Sequence, residues 1–214
     1  MKKLTFTLAV ITAIACFFAC NSRNLSLEST ADATTIENLQ TAIEGESNAS
    51  AKYALVSEQA LNQGETGIAA MFAAATIAEG IHAQSHTLVL NDLGEGIEII
   101  TDPHIGEDLA ENMQAAIDGE TYEFTEMYPP MIKQANKEEL TDALRTFTYA
   151  KKAEERHAAL YTEALDLFKA GKSKEIATTW YVCPVCGNLF NTLEGYEICA
   201  ICGVGKNTFL HFER

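Results

Sequence analysis

"MQAAIDGET", residues 113–121, decides how this chain is read, because the same pattern stands 74 residues earlier as "LQTAIEGES", residues 39–47. Gln, Ala, Ile, an acid, Gly, Glu and a hydroxyl residue recur in the same order. A second pair follows, "AEGIH" (78–82) and "AEERH" (153–157), 75 residues apart. Each half of the chain therefore carries a Gly-Glu on one segment and a Glu-x-x-His on the next. Two copies of such a unit indicate a duplicated helical hairpin rather than a solenoid. Around both motifs apolar residues return every three or four positions, the period of one helix face. Four helices are predicted, over about 34–63, 66–90, 107–134 and 138–170. Gly64 and Gly171 mark the ends of the first and the last. The connections within each pair are short. Segment 91–106, with three glycines and Pro103, is long for a helix connection and reads as a crossover. The expected class is mainly α, a ferritin-like four-helix bundle with a long crossover.

The inward stripes contain charge where leucine belongs. The first runs Ile36, Leu39, Ile43, Glu46, Ser50, Tyr53, and the second Met71, Ala75, Glu79, His82, His86, Val89. The third runs Met113, Ala116, Ile117, Glu120, Glu123 or Phe124, then Met127, and the fourth Leu140, Leu144, Phe147, Glu154, His157, Tyr161, Leu165, Phe168. Carboxylates gathered in one core repel one another and lose their hydration. Cations cancel both penalties. Glu-x-x-His places an oxygen and a nitrogen ligand one turn apart on one helix face. Two such motifs, with a glutamate from each remaining helix, make the ligand set of a di-iron or di-manganese carboxylate site. A lone Glu-x-x-His carries little weight; two in register within a repeat carry much. Glu58, Glu126, Glu155 and Glu163 fall off the stripes and read as solvated charge. His86 reads as a residue behind the ligands or near the bundle end, and His104 and His211 as surface residues.

The 214 residues suffice for one sizeable domain and one small one. A formal net charge of −15 repels phosphate backbones, which argues against nucleic acid as a partner. The first 20 residues read as an export signal. Lys2 and Lys3 precede an uncharged, mostly apolar run over 4–19, short of the roughly 20 residues of a membrane span. "FFAC" at 17–20 resembles a bacterial lipoprotein signal with Cys20 as the lipidated N-terminus; "AIAC" at 13–16 is the competing site. Residues 21–34 are polar and read as a tether. The expected location is exported, anchored to the membrane by lipid alone and facing the periplasm or the cell surface. The bundle is assigned to 35–171 and a second module to 172–214.

That module holds "CPVCGNLFNTLEGYEICAICG", with Cys183, Cys186, Cys199 and Cys202 as two C-x2-C pairs twelve residues apart. Such a pattern makes two knuckles of a tetrahedral four-thiolate site, structural zinc or redox iron. Gly187 and Gly203 follow the knuckles, where the backbone turns tightly. Trp180, Tyr181, Phe190, Tyr196 and Phe209 are the residues available to pack a small β-rich module that folds with its metal.

Taken together, "GESNASAKY", "AEGIH", "GETYEFTEMYP", "AEERH" and the four-cysteine module resemble the rubrerythrins, over about residues 34–214. The resemblance implies a ferritin-like di-iron bundle fused to a rubredoxin-like module. It implies that Glu79 and Glu154 bridge the metals, that Glu46 binds one, and that Glu120 and His157 bind the other. It further implies that Glu123 and His82 exchange at the first iron between the oxidised and reduced states. Tyr53 and Tyr128 match tyrosines beside the site that donate hydrogen bonds to its carboxylates; ordinary core packing is their other reading. The activity it implies is a peroxidase, reducing hydrogen peroxide to water with electrons passed through the cysteine iron, in defence against oxidative stress. It also implies a homodimer in which the module of one subunit serves the bundle of another. The export signal departs from the family pattern and leaves the electron donor, a redox protein or a membrane donor, unnamed. A ferroxidase or iron-handling protein using the same carboxylates is the second reading, and a zinc-stabilised binding protein the third. Gly80, inside the first Glu-x-x-His, lowers helix stability by roughly 1 kcal/mol against alanine.

Overall fold

The computed structural model describes residues 33–214; the signal, the tether up to residue 32, Cys16 and Cys20 lie outside the described residues. The order is α1 (Ala33–Asn62), α2 (Thr66–Asp92), α3 (Leu109–Tyr122), a π-turn (Glu123–Met127), α4 (Tyr128–Lys137), α5 (Thr141–Lys169), then β1 (Thr179–Val182), β2 (Leu189–Phe190) and β3 (Leu210–Glu213). The chain is thus mainly helical, a ferritin-like bundle with a small β-rich module.

α1 and α2 form one antiparallel hairpin, turning at Gly64 with φ +80°. Small residues bring them close: Ser50 and Ser57 donate to the carbonyls of Thr76 and Ala69 across the pair. α3, the π-turn and α4 pair with α5 as the second hairpin. No regular element spans Leu93 to Asp108, so the crossover is extended chain; it is held at its far end by Gln59 and Asn112, which bond Gly106 and Glu107. α2 is long and apolar enough to cross a membrane by length and composition, but 67% of its most apolar stretch is buried in the bundle. Gly80 sits on its outer side, where a Cβ would meet only Ser50 Oγ at 4.0 Å. Gly80→Ala is therefore expected to raise stability by about 0.5–1 kcal/mol and leave metal content unchanged, as thermal unfolding and metal analysis would show.

The third predicted helix is not continuous. The N–H of Tyr128 bonds the carbonyl of Glu123, five residues back, and Pro129 and Pro130 follow at the start of α4. Prolines have no N–H for the four-residue ladder, so the wider turn is accommodated where they begin.

In the module β1 is central, with order β2-β1-β3 and antiparallel pairing, Tyr181 opposite Phe190 and His211. Alternation along β1 splits its aromatics. Tyr181 joins Phe190, Tyr196 and Phe209 around the cysteines, whereas Trp180 and Val182 turn the other way into the core of the bundle. Trp180 thus fastens the module to the helices rather than packing the module itself. Its indole donates to Ala177 at 2.7 Å.

Candidate metal centres

The two Glu-x-x-His motifs face each other across α2 and α5, with the imidazoles of His82 and His157 stacked at 5.9 Å. Two groups of ligand atoms result: Glu46, Glu79, His82 and Glu154; and Glu79, Glu120, Glu154 and His157. All six residues are buried. Glu79 and Glu154 belong to both groups. Glu154 sets Oε1 at 2.8 Å from His82 Nδ1 and Oε2 at 2.8 Å from His157 Nδ1. Glu79 does the same with Oε2 at 2.9 Å and Oε1 at 3.2 Å. Glu46 and Glu120 each lie 3.7 Å from one imidazole only, His82 and His157 respectively.

Whether a metal pair fits can be tested on these atoms. Glu46 Oε2, Glu79 Oε1, Glu120 Oε2, both oxygens of Glu154 and His157 Nδ1 have no hydrogen-bond partner in the protein, although nitrogens lie within 3 Å of some of them. Close approach without hydrogen-bond geometry is the arrangement of donors aimed at common points between them. The other imidazole nitrogens complete the case. His82 Nε2 lies 2.9 Å from the carbonyl of Cys186, and His157 Nε2 3.1 Å from that of Gly187. A carbonyl only accepts, so each Nε2 carries a proton, and each Nδ1 is left to face the carboxylates, where a cation would take the place of its proton. The set is a di-metal carboxylate site in which Glu79 and Glu154 are placed to bridge.

Charge in the cluster shows the same need. Burial, reinforced by Glu154, pushes Glu46 up to about 8. Burial and the charges of Glu79 and Glu154 push Glu120 well above the carboxylate range. Burial would also raise Glu154, but the imidazoles on either side hold it far below. Burial would lower His82 and His157, and the carboxylates outweigh it, holding both well above the usual range. Glu46 thus keeps its proton below pH 8 until a cation displaces it. Loading with a divalent metal at pH 7 is expected to release protons into weak buffer, and affinity to rise with pH up to about 8; pH-stat titration checks both.

The tyrosines reach across the repeat. Tyr53 of the first half donates to Glu120 of the second at 2.6 Å, and Tyr128 of the second donates to Glu46 of the first. Tyr53 stands seven residues after Glu46, but Tyr128 stands eight after Glu120. The π-turn absorbs that extra residue and keeps the two tyrosines equivalent. The change of offset from 74 to 75 between the two pairs of motifs was the available signal.

Glu123 opens the π-turn and belongs to neither group. It is half-buried and lines a cavity of about 320 Å³ with Tyr53, Lys52, Gly45 and Gly119, the glycines before Glu46 and Glu120. Burial, with Glu46 and Glu120 beyond it, pushes its carboxyl well above the usual range. His86 is not a ligand: it lies between Tyr128 and Thr146. Glu58, Glu126, Glu155 and Glu163 are exposed, as are His104 and His211.

The four cysteines are unbridged, their sulfurs within 4.8 Å of one another, with Cys183–Cys202 at 3.4 Å and Cys186–Cys199 at 3.5 Å. Both knuckles close alike: the N–H of Gly187 bonds the carbonyl of Cys183, and that of Gly203 the carbonyl of Cys199. Hydrogen bonds with Cys183 and Cys186 hold the Cys199 thiol well below its usual range, and those with Cys183 and Cys199 push Cys186 well above it. A cation replaces the protons so shared. Zinc and iron both fit this donor set.

Within the described residues the module lies against the bundle of its own chain. The linker after α5 is short, and Ile176 lies directly against Gly67 of α2, where a Cβ would come within 2.7 Å of the Ile176 carbonyl. Gly187, φ +70°, lies so close to His82 that a Cβ would stand 2.2 Å from Nε2.

Comparison with known proteins agrees with this architecture. The rubrerythrin family model matches residues 37–165. Rubrerythrin-2 of Clostridium acetobutylicum is 39% identical over 183 residues, 85% of this chain and 98% of that protein. Nigerythrin of Nitratidesulfovibrio vulgaris is 34% identical, covering 89% of this chain and 93% of its own. The structure of fully reduced, all-ferrous nigerythrin superposes with a TM-score of 0.77 at 31% identity, over 95% of this chain and all of that one. Matched by the family model over most of its bundle, and by its relatives along nearly their whole length, the chain belongs to the rubrerythrin family.

Proposed function

We propose that the protein is a non-haem di-iron peroxidase that reduces hydrogen peroxide to water, with iron at the cysteines passing electrons inward. The observation that carries this reading is the pair of hydrogen bonds from His82 and His157 to the backbone of Cys186 and Gly187. A knuckle of the electron-carrying module touches the ligands of the bundle site, one bond and one imidazole from the carboxylates. A purely structural cysteine site has no need of that contact. Bound iron would supply the two electrons and the Lewis acidity. Glu46, Glu79, His82, Glu120, Glu154 and His157 would hold the pair in the bundle, and Cys183, Cys186, Cys199 and Cys202 the third ion.

The chain's own residues do the rest. Tyr53 and Tyr128 orient the terminal carboxylates by donating to Glu120 and Glu46, and the helices keep bulk water from the ligand atoms. His82 stands inside its group and Glu123 outside, the arrangement that the family resemblance assigns to the reduced state. Glu123, on its wider turn, is the residue we expect to take the place of His82 on oxidation.

The test is rapid mixing of the anaerobically reduced, iron-loaded chain with peroxide or with oxygen. Faster oxidation by peroxide, with the cysteine iron following the bundle iron, supports the peroxidase relay. Faster reaction with oxygen and an idle cysteine site moves the assignment to a ferroxidase or oxidase. Export with a lipid on Cys20, and a homodimer, belong to the same reading; they rest on the N-terminal motif and on family membership, and are checked by mass spectrometry of the membrane fraction and by light scattering.

A further inference from the structure

We propose that Thr146, His86 and Tyr128 form a proton-input wire from a cavity between bundle and module to Glu46 of the metal site. The purpose of the wire rests on the peroxidase reading; its geometry does not. His86 is buried and belongs to neither ligand group, yet both its nitrogens are engaged. Nδ1 lies 3.1 Å from Thr146 Oγ1 and Nε2 3.0 Å from the Tyr128 hydroxyl. The Tyr128 hydroxyl in turn donates to Glu46 Oε1.

Elimination places every proton. A tyrosine has one, and here it goes to the carboxylate. Nε2 of His86 must then carry a proton and donate to the tyrosine oxygen. The ring is neutral, since it is wholly buried, which disfavours the charged form, and its two nitrogens meet hydroxyls rather than carboxylates. Nδ1 therefore accepts, and the Thr146 hydroxyl donates to it. All three donors point toward Glu46.

Thr146 differs from other threonines on these helices. Thr76, Thr87, Thr148 and Thr162 donate to the carbonyl four residues back. Thr146 reaches to His86 on another helix. It also lines a cavity of about 340 Å³, with His82, Arg145, Tyr149, Val185 and Cys186 around it. That space is ample for water.

The chemistry calls for such a path. H2O2, two electrons and two protons give two waters, and bound iron would supply the electrons. The protons must cross a shell of buried residues. In one passage Tyr128 gives its proton at Glu46 and takes one from His86 Nε2. His86 takes one at Nδ1 from Thr146, and Thr146 takes one from a hydronium in the cavity, which becomes water. The peroxide oxygens receive the proton released at Glu46. No member of the wire ends with a changed charge, and the imidazole tautomer and hydroxyls turn back before the next passage.

Two measurements decide it. The first is the imidazole 1H–15N spectrum of the full chain loaded with zinc. A neutral Nε2–H tautomer at His86 is expected; an Nδ1–H tautomer or an imidazolium overturns the wire whatever the enzyme's oxidant. The second compares Thr146→Val and Thr146→Ser in the reduced, iron-loaded chain mixed with peroxide in H2O and D2O. Thr146→Val should slow oxidation by at least about 10-fold and raise the solvent isotope effect, with Thr146→Ser within about twofold of the parent. A valine variant with the parent's rate and isotope effect overturns the proposal. If peroxide fails to oxidise the parent chain, the peroxidase reading falls. The same comparison is then made with oxygen, whose reduction also takes up protons.

Discussion

Replacing Gly187 by alanine is expected to part the two metal centres without emptying either. The new methyl would stand 2.2 Å from His82 Nε2 and 2.8–2.9 Å from the adjoining ring carbons. In the reduced arrangement His82 is held in place, because Glu79 and Glu154 flank it on the ligand side and it is buried. The knuckle must move instead, and the bonds from His82 to Cys186 and from His157 to Gly187 break together. A displacement of about 1 Å is enough to cost roughly 100-fold in a step that depends on contact. In the rapid-mixing experiment the bundle iron should oxidise at the parent rate, while the cysteine iron lags by about that factor. Gly203→Ala is the control. It has the same left-handed backbone, φ +80°, and incurs a similar strain of roughly 1–2 kcal/mol. Nothing lies within 4 Å of its Cβ position, so the relay should survive. An undisturbed relay in Gly187→Ala would mean that electrons enter by another path.

Glu154→Gln is expected to empty the bundle of both metals and spare the cysteine site. One oxygen of Glu154 faces each imidazole at 2.8 Å, so this carboxylate serves both ligand groups at once. An amide keeps the shape, but one of its two ends is an NH2 that binds no cation, and its charge is gone. The flanking imidazoles lose one of the two anions that both of them face. Affinity at both positions should fall by well over 100-fold, beyond what loss of an outer hydrogen-bond partner causes. Metal analysis after dialysis against a chelator should find only the cysteine-bound ion. Glu123→Gln, by contrast, should keep the parent's metal content, since Glu123 stands outside both groups. Loss of metal from the Glu123 variant would show that it holds the pair in place even in the reduced state.

Much of this was legible because helical spacing is local. A Glu and a His three residues apart share a face wherever the helix is placed, so Glu79 with His82, and Glu154 with His157, announce themselves. The same holds for the two C-x2-C knuckles, whose turns need only their own glycines. The repeat supplied the pairing of halves, and with it the bundle. The π-turn was half visible, in a repeat offset that grows by one residue and in two prolines that cannot join the ladder.

What the sequence by itself determined, then, is the set of ligand-bearing faces: these depend on bond geometry over a few residues. Which faces meet is another matter. The docking of the cysteine knuckle on its own bundle depends on Gly67 and Gly187 leaving room for Ile176 and His82, residues 109 and 105 positions away. The turn of Trp180 into the helices, the crossing of Tyr53 and Tyr128, and the line from Thr146 through His86 to Glu46 are of the same kind. They join groups far apart in the chain, and only the packed structure, which sets the distance and angle at which buried polar groups meet, decides them.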